Sequence, residues 1–142
     1  MRASQIEYAR FQQRGKIISF YESTLDEQRA YVWQYITHKT CLYVDWNEGI
    51  SRHNRPPPMP YTLHTSEQNH IRIMHIITQL CINMDVHILV FDPFTSNQNQ
   101  DLAPLFCAIT HLVHTKNITV FFMLALQQAP IIQAEVYIDP RR

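Results

Sequence analysis

The residues of this chain that could do chemistry stand in a few places. The stretch "GKIISFYESTLDEQRA" (15–30) runs a β-branched apolar segment straight into a polar one, where many nucleotide-binding proteins turn a strand into a phosphate loop. Such a loop needs glycines, so that several backbone N–H groups converge on phosphate oxygens, and a Lys with a Ser or Thr for charge and magnesium. The whole chain has two glycines, Gly15 and Gly49, and after Tyr21 it offers Glu22, Asp26 and Glu27 where a phosphate would sit. Acids at that point repel a nucleotide and already complement the positive end of the following helix. Neither ATP hydrolysis nor a nucleotide cofactor is expected.

Two further acids end apolar runs, Asp45 in "LYVD" and Asp92 in "ILVFD". An acid at the C-terminal end of a parallel strand can hold magnesium through water, but its counterpart would be a phosphate loop. Without one, both are read as strand-ending residues, with Asp92 capping the turn before Pro93. On that reading Asp92→Asn should change stability modestly. Of the eight histidines, His111 and His114 could share a helix face, whereas His70 and His75, five apart, do not face one another. No carboxylate or Cys completes a metal site near either pair. Ser19, Ser23, Ser51 and Ser66 stand in no nucleophile motif such as G-x-S-x-G. Cys41, Cys81 and Cys107 lie far apart in apolar stretches with no C-x-x-C, the pattern of buried thiols in a reducing cytoplasm. No catalytic, cofactor-binding or metal-ligating residue is assigned, and an enzyme is not expected.

The elements that must position these residues alternate between two periods. Strand-like runs recur at 16–21, 40–46, 87–94, 118–126 and 134–139, and the middle three are continuously apolar, as central strands covered on both faces require. Thr24 and Glu27 form a capping box before Leu25, Val32, Trp33 and Ile36, predicting a helix over 25–37. Thr65 and Gln68 form a second box before Ile71, Met74, Ile77, Cys81 and Met84. Leu102, Leu105, Phe106, Ile109, Leu112 and Val113 mark a third helix, with Pro104 in its first turn. Strands alternating with helices predict an α/β three-layer sandwich on a mostly parallel sheet, with the last strand, after the short "QQAPIIQ" connection, pairing antiparallel.

At 142 residues the chain fits one domain over 15–142, with 1–14 as an N-terminal tail. Its 12 basic and 12 acidic side chains cancel, so no overall field attracts nucleic acid or an anionic membrane. No signal-peptide core or membrane-length apolar run occurs, so a cytoplasmic protein is expected. The long irregular segment 47–65, "NEGISRHNRPPPMPYTLHT", carries four of the eight prolines. Trp46, Ile50, Arg52 and Arg55 cluster at its start, and Trp and Arg are the types that anchor protein interfaces.

Taken together, the strand, helix, strand, acid-ended strand, helix and final apolar strand over about 15–126 resemble the core of bacterial RecA with its phosphate loop replaced by "ESTLDEQRA". Among small nucleotide-free relatives of that fold, the chain is most similar to the SulA family of damage-induced cell-division inhibitors, which bind FtsZ. The stretch "KTCLYVDWNEGISR" resembles the segment through which that family meets FtsZ, matching at Lys39, Val44, Ile50, Ser51 and Arg52; where the family often has a further Trp, Asn54 stands here. The resemblance implies a RecA-like sheet and a stoichiometric inhibitor of FtsZ polymerisation that meets its partner through Lys39, Val44, Trp46, Ile50, Arg52 and Arg55 and can pair as a homodimer. The alternative is an accessory protein of the ImuA type, which binds RecA or a translesion polymerase in damage-induced mutagenesis.

Overall fold

A computed structural model describes residues 15–37, 39–46, 61–65, 69–94, 102–124 and 134–141. The expected tail 1–14 and residues 47–60 lie outside them. In chain order the elements are β1 (Ile17–Phe20), α1 (Leu25–Ile36), β2 (Cys41–Trp46), β3 (Tyr61–Thr65), α2 (His70–Asn83), β4 (Ile88–Asp92), α3 (Ala103–Lys116), β5 (Thr119–Phe122) and β6 (Val136–Ile138).

The six described strands form one sheet in the order β3-β2-β4-β5-β1-β6, every neighbouring pair parallel. Alternate side chains of each strand point to opposite faces, and helices cover both. On one face Ile73, Met74 and Ile77 of α2 and Leu105, Ile109 and Leu112 of α3 join a core with Leu42, Val44, Leu89, Phe91, Val120 and Phe122. On the other, Val32, Tyr35 and Ile36 of α1 join Ile18, Cys41, Tyr43, Val90 and Phe121. The expected three-layer α/β sandwich is what forms, with the strands from the three apolar runs at its centre. No described helix is long and apolar enough to cross a membrane.

Local chemistry accounts for the element ends. The Thr24–Glu27 box closes in both directions, Glu27 N–H donating to Thr24 Oγ1 at 3.2 Å and Thr24 N–H to Glu27 Oε1 at 3.0 Å, a cap worth about 1 kcal/mol. α3 carries Pro in its first turn and ends on Asn117 at φ 58°, the left-handed region. Asn117 Oδ1 accepts from Gly15 N–H at 2.6 Å, and a Cβ on Gly15 would lie 2.6 Å from the Ile118 carbonyl oxygen, so only glycine fits that approach.

Three expectations need correction. β6 is parallel, not antiparallel: it pairs with β1, with Ile18 opposite Val136 and Phe20 opposite Ile138. It skips over β1 from β5, and residues 123–135 give the dozen or so that a parallel return requires. The end of segment 47–65 is not irregular, because Tyr61–Thr65 form β3, in register with Leu42–Trp46. Thr65 therefore ends a strand and does not cap α2. Asn69 is the cap, its Oδ1 accepting from Ile71 and Arg72 N–H at 3.1 and 3.2 Å.

Candidate functional site

Ligands of open parallel sheets bind beyond the strand C-termini, where the connections of neighbouring strands leave in opposite directions. In this sheet that holds at two places: between β2 and β4, where β2 leads out to β3 and β4 leads the other way to β5, and between β1 and β5, where β1 leads back across β5 and β4 to β2 while β5 leads across β1 to β6. The first turns of α1 stand over the latter. Gln28, 3% exposed, turns its carboxamide onto the main chain just past β5. Its Nε2 donates to the carbonyls of Leu124 (3.0 Å) and Ser23 (3.1 Å), and its Oε1 accepts from Leu124 N–H (3.0 Å). Both donor hydrogens and the acceptor are used, so the side chain occupies the crevice as an added length of strand would.

Arg29, the next residue, reaches toward β4. Its Nε donates to both oxygens of Asp92 (3.1 and 2.9 Å) and its Nη2 to Oδ1 at 2.9 Å. Asp92 is fully buried and Arg29 is 8% exposed. The Asp92 carboxylate also accepts from Tyr43 Oη of β2, which in turn accepts from Trp33 Nε1 of α1 at 2.9 Å. Burial weakens the guanidinium's hold on its proton, but its hydrogen bonds to Asp92 and the carboxylate's charge outweigh that and hold it more firmly charged than usual. Burial, and then the Asp92 charge, push the Tyr43 phenol well above its ordinary value, so it stays a donor. The result is a buried, hydrogen-bonded cluster, with the exposed Asp26 carboxylate 3.7 Å from Arg29 Nη1 at its rim. Asp92 is therefore more than the turn cap expected of it: it anchors α1 to the sheet.

A second acid sits beside the first. Asp45 and Asp92 are direct neighbours in the β2–β4 ladder, and Asp45 faces His64 in the β2–β3 ladder. Asp45 is 3% exposed, and His64 Nδ1, on an imidazole open to solvent, donates to its Oδ2 at 2.8 Å. A base held by an acid is half of a hydrolytic triad. Among the described residues no hydrogen bond reaches Nε2 of His64, and no three His, Cys, Asp or Glu side chains gather as metal ligands. His111 and His114 lie exposed on α3.

No protein-family model matches the chain, and no curated protein is significantly similar to it. Its own residues must carry the functional reading.

The expected partner-binding residues do not form one described patch. Val44 is wholly buried beneath α2, so it cannot touch a partner and is withdrawn as a contact. Lys39 precedes the N-terminal end of β2, its Nζ 3.6 Å from the centre of the Tyr35 ring, and burial lowers its affinity for a proton. Trp46 closes the opposite end of that strand, roughly 20 Å away at the rise of an extended chain. Ile50, Arg52 and Arg55 lie outside the described residues. Sequence reasoning missed Gln28, Arg29, Tyr43 and His64. The available signal was a Gln-Arg pair one turn into a capped helix, facing strands that end in acids.

Proposed function

We propose that this chain acts by binding a protein partner, and that FtsZ, whose polymerisation it would block by occupying a subunit-joining surface, is the first partner to test. The observation that carries this reading is the occupied crevice. At the crevice between β1 and β5, Gln28 and Arg29 satisfy the local main chain and Asp92, and the described residues there form no cationic cradle for a phosphate. Binding energy must then come from the surface, and the Trp46-led segment after β2 carries the anchor types that interfaces use. FtsZ itself rests on the similarity of "KTCLYVDWNEGISR" to the SulA contact segment.

Inhibition by capture is stoichiometric, so FtsZ sedimented with GTP should lose polymer in proportion to added protein. Arg52→Ala should weaken binding by roughly 1–3 kcal/mol with the fold intact. Unchanged polymer yield at molar excess, together with expressing cells of ordinary length, would overturn FtsZ as the partner and direct the search to RecA or a translesion polymerase.

A further inference from the structure

Asp45 and His64 hold a chemistry that partner binding does not call on. The carboxylate is 3% exposed, whereas the imidazole it holds at 2.8 Å is 67% exposed. An ionised carboxylate only accepts, so Nδ1 of the neutral ring carries the proton and Nε2 keeps a lone pair, aimed away from Asp45. The couple stands where a parallel sheet takes ligands. β2 and β4, which pair Asp45 with Asp92 near their C-terminal ends, send their connections in opposite directions. Asp92 is taken up by Arg29 and Tyr43, but no described residue binds Nε2 of His64. Tyr43 and Asp45 lie on the α1 side of the sheet, and so do their ladder partners Thr62 and His64, both of which are exposed. Asp45 and Asp92 against Arg29 leave this end of the sheet negative while the imidazole is neutral. An anionic substrate is repelled there and an uncharged one is not.

We propose that His64 and Asp45 form a general-base couple that hydrolyses small uncharged esters seated on the exposed shelf of Thr62 and His64. His64 Nε2 takes a proton from a water molecule as the water oxygen bonds to the ester carbonyl carbon and the carbonyl π electrons move onto oxygen. When those electrons return, the bond to the alcohol oxygen breaks and the imidazolium gives that oxygen its proton. Acid and alcohol leave, and the base is restored. Asp45 keeps the ring in the productive tautomer and balances the imidazolium charge, so it is a positioning residue and His64 the catalytic one. This activity is separate from the capture of FtsZ, and neither stands or falls with the other.

The full chain should turn over p-nitrophenyl acetate repeatedly, about 100-fold faster than eight equivalents of free imidazole, one for each histidine of the chain; that factor is the lower end of what a positioned base supplies. His64→Gln, at an exposed position, should remove the excess with an unchanged far-ultraviolet circular dichroism spectrum. His111→Gln, exposed on α3, should keep it. Long-range proton–nitrogen correlation spectra should show His64 as the Nδ1–H tautomer in the wild type and as a mixture in Asp45→Asn, whose kcat should fall by about tenfold or more. Should Asp45→Asn fail to fold, His64→Gln decides. A rate no greater than that of the free imidazole, a rate that survives His64→Gln, or hydrolysis of p-nitrophenyl phosphate in place of the acetate would overturn the proposal.

Discussion

Asp45 and Asp92 end neighbouring strands at the same height of the sheet and on the same face, yet their surroundings differ. Asp92 closes β4, with β2 on one side and β5 on the other, and α1 lies above it, so it is cut off from water and bound by Arg29 and Tyr43. Asp45 closes β2, whose outer neighbour is the edge strand β3, and it is held by His64, an imidazole open to solvent. What an acid at a strand end does is thus decided by what covers the strand. Under a helix it is matched by a buried guanidinium, because an unmatched buried charge is costly; beside an edge, the imidazole that holds it stands in solvent.

The largest effect should follow from breaking the covered pair. Asp92→Ala leaves the Arg29 guanidinium buried without its carboxylate and the Tyr43 hydroxyl without its acceptor, and should cost about 3–5 kcal/mol in urea unfolding. Asp92→Asn should also destabilise well beyond the modest change expected of a turn cap, since the charge is lost. Gln28→Ala strips three hydrogen bonds and leaves the Leu124 N–H and two carbonyls short of a partner, so about 2–3 kcal/mol is expected by the same assay. Asp45→Ala should cost only about 1 kcal/mol, because His64 can turn to solvent. Equal losses at Asp45 and Asp92 would remove the distinction drawn between covered and edge positions.

Alkaline titration sharpens the same contrast. Burial, and then the neighbouring Cys81, raise the Cys41 thiol; burial pushes Cys81 up to about 12; Tyr43 is raised by burial and by Asp92. All three keep their protons in the folded chain at pH values where the unfolded chain has released them. Their contribution is therefore complete below the unfolded values, about 8.5 for Cys and 10 for Tyr, and is lost as pH rises. Unfolding free energy should fall by roughly 1.4 kcal/mol per pH unit for each group beyond its unfolded value. Tyr43→Phe should flatten the part of the slope above about pH 10. Asp45→Ala should leave it unchanged.

How much of this was legible in the sequence depended on the range of the interaction. Among the described elements, period located all three helices and five of the six strands, and the Thr24–Glu27 box fixed one helix start, because such signals act within a few residues. β3 escaped because "YTLHT" is short, follows a proline cluster and alternates only weakly in hydropathy. The direction of β6 escaped because its partner is β1, far away in sequence, and not β5. The occupied crevice was half visible: the acids and missing glycines of "ESTLDEQRA" pointed away from a phosphate loop. That Gln28 and Arg29 fill the space follows only once α1 lies over β4 and β5. Asp45 and Asp92 had looked alike because nothing local to either strand says which will be covered.

The central claim, that the chain's own side chains occupy the crevice between β1 and β5, is tested most directly by isothermal titration of the full-length protein with magnesium ATP. The account predicts no heat beyond dilution, because Gln28 holds the main chain past β5 and Arg29 is already matched by Asp92. Saturable binding in the micromolar range, lost in Arg29→Met, would contradict it.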